Sequence, residues 1–279
     1  MPQNSTLLLE KQLVSLAEGM TIELIMTARP HLVCVRDNQP VSAARQAMGR
    51  YYDQLPLVDA AGEVIGLVRR AALTTADDSA QVREYSVFSQ GLTSVRSTDA
   101  IHDAITVLCS VDCALVFDPR TGRFCGLLHL SDLNKQAVRV YLYLWISALE
   151  MGLAEYLRHF HPRLKEWMDH VPSTNRASFL GDFILRKRQR IELSPVEGLY
   201  FSDMLVILRK LPLAPERLRI PKKDLESLAK PEPLNELRNM AMHPVRAIVH
   251  QMSDAVRVRD RLATIRKLIA ATSAATAHQ

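Results

Sequence analysis

The sequence predicts an α+β multidomain protein in which a tandem pair of βαββα repeats precedes an all-α helical bundle. Between residues 20 and 139, one order of extended, helical and strand-turn-strand segments occurs twice, which predicts two related modules. Between residues 140 and 271, apolar residues recur at helical spacing. A length of 279 residues independently favours two compact units.

Composition narrows the class of protein further. The formal net charge of +5 permits a polyanionic partner such as RNA without requiring one. The four cysteines form no CxxC pair and have no histidine at metal-ligand spacing, so we expect free thiols in a reducing cytosol.

The termini and the most apolar run predict a cytoplasmic protein with no membrane association. Residues 1–19 form a predicted helical extension without the basic region and cleavage site of a signal peptide. The run from Val140 to Leu149 is too short to span a bilayer and stops at Glu150. Residues 272–279 are predicted to be a disordered tail.

Each repeat contains an extended segment, an amphipathic helix and two short apolar strands joined by a turn that contains glycine. The helices are predicted near residues 41–48 and 100–108. The strand pairs are predicted at residues 55–59 with 64–68 and at residues 114–118 with 124–128.

The strand-turn-strand phrases "LPLVDAAGEVIGLVRRAAL" and "ALVFDPRTGRFCGLLHLSDL" resemble a tandem pair of CBS domains over residues 20–135. In that family a Thr or Ser three residues after the strand glycine, and an Asp three residues further on, hold an adenine nucleotide. The second copy has Asp132 at the second position after Gly126, but His129 replaces the Thr or Ser. The first copy has Arg69 and Ala72 there.

The resemblance therefore implies one allosteric adenine-nucleotide site in the second copy. Its expected residues are Asp132, Ser131 and His129, together with the extended segment from Thr93 to Val95. An alternative explanation is that Ser131 and Asp132 only cap a helix, because both residue types favour that position.

A long helix is predicted from residue 133 to about residue 160, apolar on all sides between Val140 and Leu157. Such a helix is buried by neighbours or by a partner chain, which favours a helical bundle and a homodimer. Further helices are predicted at residues 179–190, 204–211, 234–242 and 245–269, and residues 161–177 are predicted to form a loop.

The stretch "LNELRNMAMHP" at residues 234–244 places Arg238 five residues before His243, late in a helical domain. It resembles the HEPN family, and the resemblance covers about residues 140–270. It implies that Arg238 and His243 are catalytic, that Asn239 supports them, and that two chains form the site. Roles in defence or as toxins are common in that family.

The two side chains also suit RNA cleavage on chemical grounds. Metal-independent cleavage needs the 2′-hydroxyl deprotonated, the phosphorane charge stabilised and the leaving oxygen protonated. Histidine transfers protons near neutral pH, and arginine presents a charged planar fork to phosphate oxygens. We therefore expect an endoribonuclease that uses no cofactor for catalysis, binds RNA and does not act on DNA.

Several alternatives stay open at this point. Arg238 could pair with Glu236 or Glu150, and His243 could be a satisfied residue at a helix kink. The helical part could then serve dimerisation or partner binding in a non-catalytic, nucleotide-sensing regulator. A nucleotide-transfer role, or a role as a toxin's target, is weaker because no transferase motif is present. The basic cluster at residues 186–190 either contacts RNA phosphates or forms a solvated face.

Overall fold

The chain forms a repeat unit and a helical unit in the computed structural model, which describes residues 4–189 and 194–277. The repeat unit contains residues 20–137 and 249–256. The helical unit contains the residues up to 19, residues 138–248 and the residues from 257. A mixed α+β protein was predicted, and this is confirmed. The N-terminal helix α1 (Asn4–Glu18) belongs to the helical unit.

The repeat unit alternates short strands with short helices in the order that the sequence pattern predicted. Its elements are β1 (Thr27–Ala28), β2 (Val35–Arg36), α2 (Val41–Met48), β3 (Gln54–Val58), β4 (Val64–Arg69), α3 (Arg70–Leu73), β5 (Ser86–Phe88), β6 (Ser94–Arg96), α4 (Ile101–Val107), β7 (Cys113–Phe117) and β8 (Phe124–His129).

The two repeats exchange their outer strands. One sheet has the order β2-β3-β4-β5 and the other has the order β1-β8-β7-β6. Strand β1 therefore precedes the first repeat in sequence but pairs antiparallel with β8 of the second, while β5 pairs antiparallel with β4 of the first. Sequence periodicity identified the segments but not this exchange, because it reports which residues are buried and not which strands pair.

A glycine in each repeat permits the exchanged strand to approach. A Cβ atom at Gly126 would lie 2.7 Å from the carbonyl oxygen of Thr27 in β1. Gly66, at the equivalent position of β4, would meet the carbonyl oxygen of Val87 in β5 in the same way. The expected nucleotide-site positions were counted from these two glycines. Close packing of the exchanged strand is by itself sufficient reason for a glycine at both places.

The helical unit contains all but the first two residues of the buried helix α5 (Gln136–Phe160). Its further elements are α6 (Ser173–Arg188), α7 (Phe201–Lys210), α8 (Ala214–Arg217), α9 (Lys222–Leu228), α10 (Pro231–Met242) and α11 (Met252–Ala277), and α5 and α11 each begin within the repeat unit.

Helix α5 is covered mainly within its own unit. Trp145, Leu149 and Tyr156 are buried, and the Arg266 guanidinium of α11 lies over the Trp145 ring at 4.5 Å from its centroid. Val140 and Tyr143 are exposed. The helix has the length and apolar composition of a membrane span, which the core helix of a soluble protein can share. The expected absence of membrane association stays a prediction.

Three predicted boundaries in the helical part are wrong. Helix α11 begins at Met252 and not at Val245, because Pro244 interrupts the chain and Asp254 Oδ2 accepts from the backbone N–H groups of His250 and Gln251. The predicted loop at 161–177 ends early, since α6 begins at Ser173. The predicted tail is helical through Ala277, and Arg190 of the basic cluster lies outside the described residues.

The C-terminal part of α11 is held by a buried carboxyl group of α1. Thr272 is buried, and the Ser273 hydroxyl donates to Glu10 Oε1. The other oxygen, Oε2, is buried without a hydrogen-bond partner. Burial raises the pKa of Glu10 above 4.5; the Ser273 bond and Lys11 oppose this rise, and Glu155 adds to it. The contact explains why a stretch rich in alanine stays helical where the sequence suggested disorder.

We expect Glu10→Gln to raise the thermal midpoint at pH 7. Because the folded pKa is above the unfolded one, the folded state binds more protons between the two values, and stability falls as pH rises through that interval. Glutamine keeps the acceptor for Ser273 and removes this loss. The difference from wild type should shrink as pH falls towards 4.5 in thermal-unfolding scans, whereas a difference independent of pH would contradict the assignment.

Candidate functional site

The repeat unit contains a cavity of about 290 Å³ beside the end of β8. Three of the residues predicted from the sequence, His129, Ser131 and Asp132, line it. Opposite them lie residues that precede or begin the first repeat, among them Thr27 and Leu32. The strand exchange produces this arrangement, because pairing with β8 brings the β1 segment to the end of that strand.

Asp132 is buried and already has two partners. Its Oδ2 accepts from the His129 backbone N–H at 2.7 Å, and its Oδ1 lies 2.8 Å from Lys135 Nζ. The Ser131 backbone N–H donates to His129 Nδ1 at 3.2 Å. These contacts form the predicted cap, at the start of a 3-10 turn, Leu130–Asn134, and not of a long helix. A carboxylate has about four lone-pair sites, so acceptor capacity remains for a ligand.

The sequence did not reveal an aromatic wall of the same cavity. Tyr51 and Tyr52 line it from the turn between α2 and β3. Arg70 fixes this turn by donating to the Gly49 and Tyr52 carbonyl oxygens at 2.8 and 2.6 Å. Two adjacent exposed tyrosines before an apolar strand were the available signal, since aromatic faces of this kind stack on nucleobases.

The segment from Thr93 to Val95 does not line this cavity with Asp132. Strand β6 pairs with β7, whereas the cavity lies beside β8 and β1. The expected pairing of Thr93 and Val95 with Asp132 is therefore replaced by the β1 segment. The reason is the strand order β1-β8-β7-β6, which places β6 at the opposite edge of the sheet from β1.

The helical unit contains a second cavity, of about 280 Å³, between α5, α7 and α10. Arg238 and Asn239 line it from α10, and Glu150 lines it from α5. Ser202, at the start of α7, adds a hydroxyl group. Glu150, one of the two carboxylates considered as possible partners of Arg238, thus lies at the same cavity as Arg238.

The charges of this cavity are coupled. Burial raises the pKa of Glu150, and the nearby charge of Arg238 opposes the rise. Glu236, the other predicted partner of Arg238, instead forms an ion pair with Arg261. Arg238 therefore stands beside a half-buried carboxyl group whose charged form is disfavoured, at the edge of an open cavity.

His243 lies at the end of α10 and does not line the cavity. Its backbone N–H donates to the Asn239 carbonyl oxygen at 3.0 Å, so it follows Asn239 by one helical turn on the same side of the helix. Its own backbone is extended, as expected for a residue before proline. Its side chain is exposed.

A buried arginine, absent from the sequence-based site, holds this helix end. Arg139 of α5 donates through Nη1 to the carbonyl oxygens of Met240 and His243, the latter at 3.1 Å, and through Nη2 to that of Arg246. It is 5% exposed, and burial lowers its pKa. These bonds satisfy carbonyl groups that a helix C-terminus leaves without partners. Nothing in the local sequence of α5 distinguishes Arg139 from a solvated arginine.

The order of elements in the first repeat is that of a known module. Residues 22–78 match the CBS domain family. The match covers the first CBS repeat, and the second repeats its strand order and its strand glycine. No curated protein sequence matches the chain.

Solved structures of CBS proteins are similar to part of this chain. CBSX2 in complex with AMP is 20% identical over 44% of this chain and 98% of that chain, with a TM-score of 0.38. CBSX2 from Arabidopsis thaliana is 20% identical over 44% and 96% of the two chains, with a TM-score of 0.39. The CBS domain of the bacterial CNNM/CorC family Mg2+ transporter in complex with ATP is 17% identical over 50% and 98%, with a TM-score of 0.39.

The two arginines at the end of β4 form ion pairs within the repeat unit. Arg69 Nη2 lies 3.0 Å from Asp112 Oδ1, and Arg70 pairs with Asp53, so neither of these two arginines is an isolated cation. All four cysteines are free, and burial raises the pKa of Cys113 to about 11. Within residues 4–189 and 194–277, no three His, Cys, Asp or Glu side chains are grouped in a way that could hold a metal ion.

Proposed function

We propose that the protein is a metal-independent endoribonuclease of the HEPN type, regulated by an adenine nucleotide that binds the CBS pair. The observation that carries the proposal is the cavity in which Arg238 and Asn239 face Glu150, with His243 one turn further along the same helix. An arginine, an amide and a proton-transfer group are thereby presented by one helix end. This is the set of groups that cleavage of a phosphodiester needs.

Each residue has a role that follows from its chemistry. Arg238 binds the non-bridging phosphate oxygens and stabilises the charge that grows on them, because its fork donates two parallel hydrogen bonds. His243 transfers the proton of the 2′-hydroxyl or of the leaving 5′-oxygen. Asn239 donates a further hydrogen bond to the phosphate, and Glu150 limits the positions that the Arg238 side chain can adopt.

We propose that a complete site needs two chains. Two proton transfers and one charge stabilisation exceed what a single Arg-His pair supplies, and His243 is exposed beside its own cavity rather than within it. An isologous dimer would supply a second histidine and a second arginine across a two-fold axis. RNA is the proposed substrate, and the basic net charge of +5 favours its approach.

The regulatory ligand is proposed from the other cavity. Asp132 retains acceptor sites for ribose hydroxyls, Tyr51 and Tyr52 offer aromatic faces to a base, and the CBS family match makes an adenine nucleotide the first candidate. Arg50 Nη2 donates to the Tyr51 hydroxyl at 2.8 Å, so its positive charge stands at the edge of this cavity. By linkage, any ligand that alters cutting must itself bind differently when RNA is bound.

We expect AMP or ATP to bind the wild-type protein in calorimetric titrations, and Asp132→Asn to weaken binding about tenfold or more, because a hydrogen bond to a charged group is lost. Asp182→Asn removes the same charge from the exposed face of α6 and should leave the affinity unchanged. If both variants bind like the wild type, Asp132 has only its capping role.

The enzymatic part is tested by incubating purified protein with total RNA and EDTA, with and without AMP, ADP or ATP. Cleavage in EDTA that changes with nucleotide supports both halves of the proposal. RNA that stays intact under every condition removes the enzymatic half. Cleavage only after addition of a metal ion removes the metal-independent mechanism.

A second candidate is a non-catalytic regulator whose helical unit serves dimerisation or partner binding. The observation that favours it is the exposed position of His243 outside the cavity that contains Arg238. In that case nucleotide would bind the CBS pair and alter oligomeric state, measured by light scattering, while RNA stayed intact.

A further inference from the structure

A third cavity, of about 410 Å³, lies in the helical unit and shares no lining residue with the Arg238 cavity. One side is formed by His159, Phe160, Arg217 and Arg219. The other side is an alanine-rich face of α11 near Ala274. Its volume is that of a pocket for a small molecule, which usually measures about 300–1,000 Å³.

Arg217 is fixed in position on two sides. Its guanidinium lies over the Phe160 ring at 4.5 Å from the centroid, and its Nη1 lies 3.1 Å from His161 Nε2. Because arginine can only donate, Nε2 must be the acceptor, which leaves the Nδ1–H to face Glu166 Oε2 at 3.6 Å. Burial lowers the pKa of His161, and the charge of Arg217 lowers it further, in agreement with a neutral ring.

The cavity has an uncompensated positive charge. Its lining residues include no carboxylate, and among the residues that the structure describes, neither Arg217 nor Arg219 forms an ion pair. The Glu166 carboxylate is engaged with His161 and Arg163. Between Glu216 and Arg219 the contact is a backbone one, in which the Arg219 N–H donates to the Glu216 carbonyl oxygen. Arg219 adopts a φ of 53°, a left-handed conformation that is unusual for this residue type.

A guanidinium held by an aromatic face and a histidine loses little conformational entropy when it binds an anion. With Arg219 beside it, Arg217 gives the cavity two cations, which match a phosphate monoester, carrying about −1.5 to −2 charges at pH 7, better than a single carboxylate. The alanine face opposite leaves room for the uncharged part of the ligand. A solvated surface arginine would not need the Glu166–His161–Arg217 chain of contacts.

We propose that this cavity binds the phosphate group of a nucleotide-sized phosphomonoester through Arg217 and Arg219, at a site separate from both the CBS cavity and the Arg238 cavity. The proposal does not depend on ribonuclease activity. The phosphate could belong to a free nucleotide or to the 5′ end of an RNA chain, which share the chemistry that the two arginines recognise.

The test uses the full-length protein and uridine 5′-monophosphate, with uridine and pyrophosphate as comparison ligands, in calorimetric titrations. We expect uridine 5′-monophosphate and pyrophosphate to bind and uridine not to bind. Arg217→Gln and Arg219→Asn should each weaken binding about tenfold or more. Asparagine is chosen at 219 because it tolerates the left-handed conformation, so this variant decides the matter if Arg217→Gln fails to fold.

Two controls make the result specific. Arg186→Gln removes an exposed arginine of α6 and should leave binding unchanged. Asp132→Asn should also leave it unchanged, and loss of binding in that variant would place the ligand in the CBS cavity and overturn the proposal. So would an absence of binding by both phosphate ligands. A 5′-phosphorylated oligouridylate that binds more tightly than the mononucleotide identifies the RNA end as the source, and equal affinity identifies the free nucleotide.

Discussion

Arg238→Ala and His243→Ala are each expected to reduce RNA cleavage about 100-fold or more, measured as the initial rate on a labelled RNA in the presence of EDTA. Loss of one group that stabilises a developing oxyanion costs about 10²–10³ in rate, and loss of a general acid or base costs about 10²–10⁴. Asn239→Ala should have a smaller effect in the same direction, because an amide supplies one neutral hydrogen bond.

Matched controls separate chemistry from loss of charge. Arg83→Ala removes an exposed arginine of the repeat unit and His250→Ala removes an exposed histidine, and both should cut RNA at the wild-type rate. Thermal midpoints of all the variants should agree, since Arg238 is only half-buried and His243 is exposed. Equal rates in wild type, Arg238→Ala and His243→Ala would reject the assignment of the two residues.

The same variants test whether the site is shared between chains. If the site needs Arg238 and His243 from both chains, subunit exchange of wild type with an equal amount of His243→Ala leaves about a quarter of the dimers fully wild type, so the activity should fall to about a quarter and not to about a half. A fall only to about one half would show that each chain holds a complete site.

Arg139→Met is expected to lower the free energy of unfolding by about 3 kcal/mol, because it leaves backbone carbonyl groups at the end of α10 without a charged donor. For a chain of this size that corresponds to a fall of about 6–12 °C in the thermal midpoint. If His243 is catalytic as proposed, RNA cleavage should fall as well, even below the midpoint, because Arg139 bonds the His243 carbonyl oxygen and so positions this residue.

Arg139→Lys provides the conservative comparison. A lysine ammonium keeps the charge but cannot span the same set of carbonyl groups, so its midpoint should lie between those of wild type and Arg139→Met. Arg186→Met, a change of the same type on an exposed helix face, should be neutral. A neutral effect of Arg139→Met would show that the carbonyl groups find water or other donors.

The fold was predictable where local pattern decides it. The strand-turn-strand phrases located β3 with β4 and β7 with β8, because short apolar runs bounded by turn residues leave a direct signal in sequence. Helix α11 was misplaced at both ends because its start depends on the Asp254 cap and its end on the contact between Ser273 and Glu10. Glu10 is separated from Ser273 by most of the chain, and no local pattern reports such a contact.

The candidate site was predictable only in part, for the same reason. Arg238 and Asn239 were identified from a short motif, and Glu150 from its position in an apolar helix. Arg139 was missed because its function is to bond backbone carbonyl groups, which every sequence contains. In the repeat unit, Asp132, placed by counting from Gly126, lines the cavity beside β8, whereas Thr93 and Val95 do not line it, because β6 lies at the other edge of the sheet.

Because β1 and β5 are exchanged between the repeats, residues of both repeats line the cavity beside β8. Asp132 comes from one copy, while Thr27, Tyr51 and Tyr52 come from the other, so each copy alone would form only part of the cavity wall. A substitution in either copy can therefore change the cavity. Arg69 and Ala72 alone do not describe what the first repeat contributes, because its tyrosines line the cavity beside Asp132 of the second repeat.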